Sequence, residues 1–216
     1  MYDKPDYYSK KAVKEGYVAR SVYKLIEIQE KFNLFKKGNK ILDLGCAPGS
    51  WSQYVSSIID KNGLVVGIDY KEIKVNPTNA VFIKGNFLKD QTKNKLKEYA
   101  PFDGIISDMA PDTSGDKLTD CFASSNLVKD ALKFSYEYLK KGGFFIAKIF
   151  QGGDEIEIMN EVKMAFKNAK WLKPKSSRKK SIELFIIGID FIHKPECNNN
   201  KKEIIDFENS DGTMPW

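Results

Sequence analysis

Two charged residues interrupt runs of sequence that are otherwise almost wholly apolar. Lys148 lies inside Phe144-Phe145-Ile146-Ala147-Lys148-Ile149-Phe150, and Glu183 stands near the start of a second run over 182–191. Runs of this kind read as buried strands. An ammonium inside one needs a partner, because burying an isolated charge is very costly. Opposite charges embedded in two core strands point to one shared polar site. The bland alternative for Lys148 is an accessible strand end.

A second group of residues suits a nucleotide-type ligand. Ile41-Leu42-Asp43-Leu44-Gly45-Cys46-Ala47-Pro48-Gly49-Ser50-Trp51 reads as a buried strand, a tight small-residue turn and the start of a helix. Ser50 is the expected helix cap. Asp43 is expected to place negative charge at the mouth of the crevice where such sheets bind ligands, which favours a cationic ligand over a pyrophosphate. Asp69 ends the next apolar run, 69 − 45 = 24 residues beyond Gly45. In doubly wound folds an acid at about 20 residues past the glycine turn bonds ribose hydroxyls. A structural strand–helix turn and a strand-end Asp capping its own loop are the bland alternatives.

These residues need a scaffold of alternating strands and helices. Periodicity predicts a helix over 20–32, with Val22, Leu25, Ile26 and Gln29 on one face and Lys24 near its edge. Strands are expected over 41–44, 64–69, 80–87, 102–108, 144–150, 171–175 and 182–191, and helices over 51–59, 93–99, 120–139 and 154–167. Asn86 and Asp108 fall at strand ends. The stretch 109–115 is a turn-rich loop, and Lys140-Lys141-Gly142-Gly143 reads as a stop signal. Residues 1–19 form a basic arm, with Lys4, Lys10, Lys11 and Lys14 interleaved with Tyr7, Tyr8 and Tyr17. Such a mixture suits phosphates and stacked bases, or else a solvated arm. One domain over 1–195 is expected, followed by a polar tail over 196–216.

With 216 residues, 42% hydrophobic content and 30% charged content, the chain fits one soluble α/β domain. A net charge of +6 permits a polyanionic partner. Cys46, Cys121 and Cys197 lack the paired spacing of a disulfide framework or zinc knuckle, which favours a reducing compartment. No apolar run reaches the roughly 18 residues that cross a bilayer, and the N-terminus does not read as a signal peptide. His193 has no partner His or Cys and reads as structural or exposed.

Taken together, these blocks resemble the FtsJ/RrmJ family of ribose 2′-O-methyltransferases. The pieces are Ser21-Val22-Tyr23-Lys24-Leu25, Asp43 to Gln53, Ser107-Asp108-Met109-Ala110-Pro111, Lys148-Ile149-Phe150-Gln151-Gly152, and Ser176-Ser177-Arg178 followed by Glu183. The resemblance spans roughly 7–195 and implies a Rossmann-like class I methyltransferase fold. Its mostly parallel seven-stranded sheet has one antiparallel strand and helices on both faces. It implies a catalytic tetrad of Lys24, Asp108, Lys148 and Glu183. S-adenosyl-L-methionine contacts would come from Asp43, Gly45, Gly49, Ser50, Trp51, Asp69, Asn86 and Asp108, with no metal. Asn86 stands where the family carries Asp at the adenine position, so weaker binding at most is expected. Ser50 replaces a common Gly.

The implied reaction is 2′-O-methylation of a ribose, a uridine's by expectation, in large-subunit ribosomal RNA. The Ser-Asp-Met-Ala-Pro form resembles the bacterial and mitochondrial branch. Branches acting on the tRNA anticodon loop carry Asp-Gly-Ala-Pro there, and the tRNA loop and the mRNA cap remain alternatives. A monomer acting on the assembled large subunit is implied, in an organelle matrix or a bacterial-type cytoplasm. Lys10, Lys11, Arg20, Lys175, Arg178 and Lys179 are expected to contact RNA phosphates, with Lys173 and Lys180 beside them. A dinucleotide-dependent oxidoreductase is disfavoured, because Gly45-Cys46-Ala47-Pro48-Gly49-Ser50 does not match Gly-x-Gly-x-x-Gly. A non-catalytic RNA-binding protein is disfavoured by four filled tetrad positions.

Overall fold

A computed structural model describes residues 6–178 and 180–192. Lys4, Lys179, His193 and the expected tail over 196–216 lie outside the described residues. Five parallel strands build most of the sheet: β1 (Lys40–Leu44), β2 (Leu64–Asp69), β3 (Ala80–Lys84), β4 (Phe102–Ser107) and β5 (Leu139–Phe150), with β1, β2 and β4 almost wholly buried and β3 half-buried at the edge. The last two strands are β6 (Phe166–Leu172) and β7 (Glu183–Phe191). The sheet order is β3-β2-β1-β4-β5-β7-β6, and β7 runs antiparallel to both neighbours. The expected mostly parallel seven-stranded sheet with one antiparallel strand is therefore present.

Among the described residues the helices are α1 (Tyr7–Lys14), which packs on α2, and α2 (Val22–Phe32), α3 (Ser50–Ile59), α4 (Asp90–Lys97), α5 (Lys117–Tyr138) and α6 (Glu155–Ala165) around the sheet. One core layer packs α5 and α6 against β4 and β5 through Val128, Leu132, Ile158 and Val162. The other packs α2 and α3 through Leu25, Ile28, Trp51 and Val55 against Phe185 and Ile187. Each buried aliphatic or aromatic side chain of this kind contributes about 1.5–3 kcal/mol of transfer free energy. Among the described residues no helix is long and apolar enough to cross a membrane.

Several boundaries differ from expectation. The basic arm contains the helix α1, capped by Asp6, whose Oδ1 accepts the Ser9 N–H at 2.9 Å. Its apolar signal is weak because it buries Ala12 alone. The strand expected over 80–87 stops at Lys84, before Asn86. β5 starts at Leu139, so the Lys140–Gly143 stop signal lies within a strand that carries a register shift opposite Phe102. The helix expected to reach Lys167 ends at Ala165, and the following strand begins at once, at Phe166 rather than Trp171. There β-branched and aromatic partners on β7 decide the pairing, against a local pattern that reads as helix.

Candidate active site

The antiparallel pairing of β5 with β7 sets Lys148 opposite Phe185 and Phe150 opposite Glu183. Side chains directly opposed or two residues apart share one face of a sheet. Lys148 and Glu183 are therefore diagonal neighbours, on the face that α2 covers. Lys24 comes down from α2 onto the same spot, and Asp108 enters from the end of β4. The Lys24 ammonium lies 2.9 Å from Glu183 Oε2 and 3.7 Å from Asp108 Oδ1. Lys148 Nζ lies 3.0 Å from Asp108 Oδ1 and 4.0 Å from Glu183 Oε1, and donates to the Asp108 carbonyl at 2.6 Å. Both lysines are buried, at 9% and 6% exposure. Each is thus compensated as a buried ammonium must be. Lys24 also sits 5.8 Å above the Phe185 ring, a cation–π contact.

Burial alone would raise the Glu183 carboxyl. The Lys24 charge and hydrogen bond, then Lys148 and Ser181, overcome this and hold it below the ordinary carboxylate range. Two carboxylates and two ammoniums in mutual contact form a neutral cluster that can hold a hydroxyl and move its proton. Lys24 offers no warning of this in its own sequence context. The helical pattern put it at the edge of an apolar face, where lysines are ordinarily solvated, and it is buried.

Beside this cluster, at the carboxyl ends of β1, β2 and β4, opens a cavity of about 290 Å³. Gly45, Ala47, Asp69, Tyr70, Asn86, Leu88, Asp108 and Met109 are among its lining residues. A smaller recess continues inward past Ser21, Asp43, Ser50 and Trp51, again reaching Asp108. Of the expected cofactor contacts, Gly45, Asp69, Asn86 and Asp108 line the cavity, while Asp43, Ser50 and Trp51 line the recess with Gly45 and Asp108. Gly49 lines neither. It caps α3 with a left-handed backbone (φ 113°), and a Cβ there would meet the Val75 side chain at 2.4 Å. Gly45, at φ 72°, leaves room for Met109, whose Cγ would lie 2.2 Å from an added Cβ. Met109, Tyr70 and Leu88 were not among the expected contacts. Only the position of Met109, directly after Asp108, could have signalled its role.

Two expectations at this site need correction. Ser50 does not cap α3: it is the first helical residue, and its Oγ shares a 2.9 Å hydrogen bond with Ser21 Oγ. Asp43 does not put a free charge at the crevice mouth. It is 1% exposed and takes a 2.6 Å hydrogen bond from Ser52 Oγ. Burial first, opposed by the Ser52 hydrogen bond and helped by Asp108 and Asp69, pushes its carboxyl up to about 7. Arg20 is engaged on both edges. Its Nη2 donates to the Ser176 carbonyl at 2.5 Å, and its other edge pairs with Asp6.

The remaining polar groups are already engaged, and this defines what each can offer a ligand. Asp69 accepts the Ala47 N–H at 3.0 Å and the Lys71 N–H at 2.8 Å, which fixes its carboxylate at the cavity rim. Asn86 Oδ1 accepts the Leu88 N–H at 2.9 Å, so the oxygen keeps one lone pair for a ligand. Of the expected RNA contacts, Lys10, Lys175 and Arg178 are exposed. Lys11 lies 4.6 Å over the Tyr23 ring and near Glu15. The loop carrying Lys175 is tied to α2, since Glu27 accepts the N–H groups of Lys175 and Ser176 at 2.7 and 2.8 Å.

The donor set fits an adenosine-bearing cation: a polar adenine rim at Asn86, a carboxylate for the ribose at Asp69, and acids rather than bases near the recess. Comparison with known proteins points the same way. Residues 17–191 match the model of the FtsJ-like methyltransferase family. A ribosomal RNA large subunit methyltransferase E from Treponema denticola is 45% identical over 192 residues, covering 88% of this chain and 96% of that protein. A crystal structure described as a ribosomal RNA methyltransferase from Plasmodium falciparum shares 33% identity at a TM-score of 0.74, over 82% of this chain and all of that one. Fibrillarin from Aeropyrum pernix, solved with S-adenosyl-L-methionine, shares the fold at a TM-score of 0.53 and 18% identity, over 78% of this chain and 76% of that one.

Proposed function

Because the chain belongs to the FtsJ-like methyltransferase family, we propose that it methylates a ribose 2′-oxygen in large-subunit ribosomal RNA, a uridine's by preference, with S-adenosyl-L-methionine as donor. What carries this reading is the meeting of Lys24, Asp108, Lys148 and Glu183 within 4.0 Å contacts at the edge of the cavity. Bound there, the cofactor would supply a sulfonium methyl carbon that an oxygen nucleophile can attack, with the neutral thioether as leaving group. Asp69 would hold its ribose hydroxyls and Asn86 its adenine edge. Asp108 lines the cavity at the end nearest the tetrad.

The RNA hydroxyl must lose its proton as it attacks, and its approach must be in line. Lys148 is placed to orient the 2′-oxygen and, once it has released a proton of its own and become a free amine, to accept the hydroxyl proton. Asp108 holds Lys148 through both its carboxylate and its carbonyl. Glu183 holds Lys24 and leaves one oxygen toward Lys148 for the ribose. Phe185 floors the site and keeps water from the lysines. The Lys148→Ala variant is expected to lose methyl transfer by at least about a hundredfold, the scale of general acid–base catalysis. Tritiated-methyl incorporation into ribosomal RNA measures the loss, and calorimetry shows whether cofactor affinity survives. Full activity in that variant removes Lys148 from its role.

Residues 1–195 act as one catalytic domain. As the partner we take ribosomal RNA within the assembled large subunit, engaged by a monomer. Such an enzyme works where ribosomes are built, in an organelle matrix or a bacterial-type cytoplasm. Comparing whole subunits with free RNA as methyl acceptors tests the choice of substrate form.

A further inference from the structure

The chain's second charged cluster lies one helical turn from Lys24. Arg20 and Arg178 converge on one carboxylate, that of Asp6: Arg20 through Nη1, and Arg178 through Nε at 3.8 Å. Arg20 is oriented before any ligand arrives. Its Nη2 is fixed on the Ser176 carbonyl and its guanidinium lies 5.6 Å over the Tyr8 ring. Burial first, then the Arg178 charge, disfavours its ionised form, while Glu183 of the tetrad favours it. A pair of guanidiniums held this close needs an anion between them. Asp6 supplies it loosely. Its Oδ1 is committed to Ser9 N–H and Oγ at the start of α1, so Oδ2 alone serves the arginines, and the side chain is 37% exposed.

A planar guanidinium fork matches a phosphate as well as it matches a carboxylate. We propose that Arg20 and Arg178 form a phosphate subsite for the RNA strand entering the tetrad, and that the Asp6 carboxylate fills it until a phosphodiester takes its place. The proposal rests on the RNA-methylating role above. Arg20 precedes Lys24 by one turn of the helical segment, and Arg178 precedes Glu183 by five residues. The subsite thus flanks two tetrad members from the two chain segments that carry them. The phosphate it takes belongs to the nucleotide chain beside the ribose under attack, and the contact sets position without reading sequence. Displacing Asp6 frees its oxygen from the arginines while the helix cap stays intact.

Asp6→Asn removes the competing charge and keeps the cap, since Asn caps helices as well as Asp. Filter binding of labelled large-subunit ribosomal RNA to the full chain is expected to tighten about fivefold in this variant, the worth of one exposed ion pair. Arg178→Gln is expected to weaken binding and reduce the salt slope by about 1. In Arg178→Gln, adding Asp6→Asn gives a smaller gain, because Arg20 alone is then freed. Glu30→Gln removes one negative charge from the exposed side of α2 and gives less gain than Asp6→Asn. The subsite is overturned by unchanged or weaker binding in Asp6→Asn, by a gain that is undiminished without Arg178, or by an equal gain in Glu30→Gln. Such results with methyl transfer to ribosomal RNA intact overturn the subsite alone. A wild-type chain that neither binds nor methylates ribosomal RNA overturns the function it rests on.

Discussion

Asp108 and Asp6 are each shared by two cations, in very different surroundings. Asp108 faces Lys24 and Lys148, and Asp6 faces Arg20 and Arg178. The first pair of cations is buried between α2 and the sheet. Arg178 in the second is 73% exposed by side chain. Water cannot replace a partner in the first cluster, so removing one leaves a stranded charge. In the second, water and salt compete at every moment, and each contact is worth little. The same arrangement of charges is thus a rigid fixture in one place and an exchangeable one in the other. Rigidity suits the place where a proton moves. Exchange suits the place where a polymer docks and leaves.

The contrast breaks or sharpens under substitution. Glu183→Ala leaves the Lys24 ammonium with Asp108 alone, at 3.7 Å, and is expected to destabilise the fold by about 3 kcal/mol, a fall of roughly 6–12 °C in melting temperature. Methyl transfer is expected to fall with it. Asp6→Ala costs about 1 kcal/mol, chiefly as a lost helix cap. Thermal denaturation of the two variants side by side decides the matter, and equal losses erase the distinction.

Gly45→Ala comes next in size. A side chain at φ 72° that also meets Met109 is expected to cost about 1–3 kcal/mol and to weaken cofactor binding measured by calorimetry. Asp43 adds a pH signature to the buried half of the molecule. Its folded carboxyl, at about 7, lies above the ordinary 3.8, so the unfolded chain binds fewer protons between those values. Its contribution is full below about pH 4 and is lost as pH rises toward about 7. Melting temperatures of Asp43→Asn across that window are expected to fall less steeply than those of the wild type. Smallest is Arg178→Gln, within about 0.5 kcal/mol of wild-type stability, as for most exposed positions.

The same contrast explains what could be read from sequence. Buried features announce themselves through exclusion. An ammonium amid Phe144–Phe150 and a carboxylate beside Leu184 are conspicuous because their neighbours are apolar, and the strand–helix alternation follows from the same runs. Lys24 and Asp108 carried no such mark, and only the family resemblance picked them out. Rim features depend on contacts between distant segments. Nothing around Arg20 in the sequence declares that it will turn inward to Ser176, since that outcome is fixed by a loop 156 positions away. Asp43 shows a further limit. Its residue type suggested a charge at the mouth, whereas its depth behind the turn raises its carboxyl and disfavours that charge.

The helix that follows the glycine turn does more than end it. Trp51 donates its indole N–H to the Ser21 carbonyl at 3.0 Å, and Gln53 clasps Gly16 and Val18 from the next turn. These bonds tie the start of α3 to the residue before α2 and to the segment leading into it. The turn proposed to seat the donor and the helix that carries Lys24 thus share one anchorage.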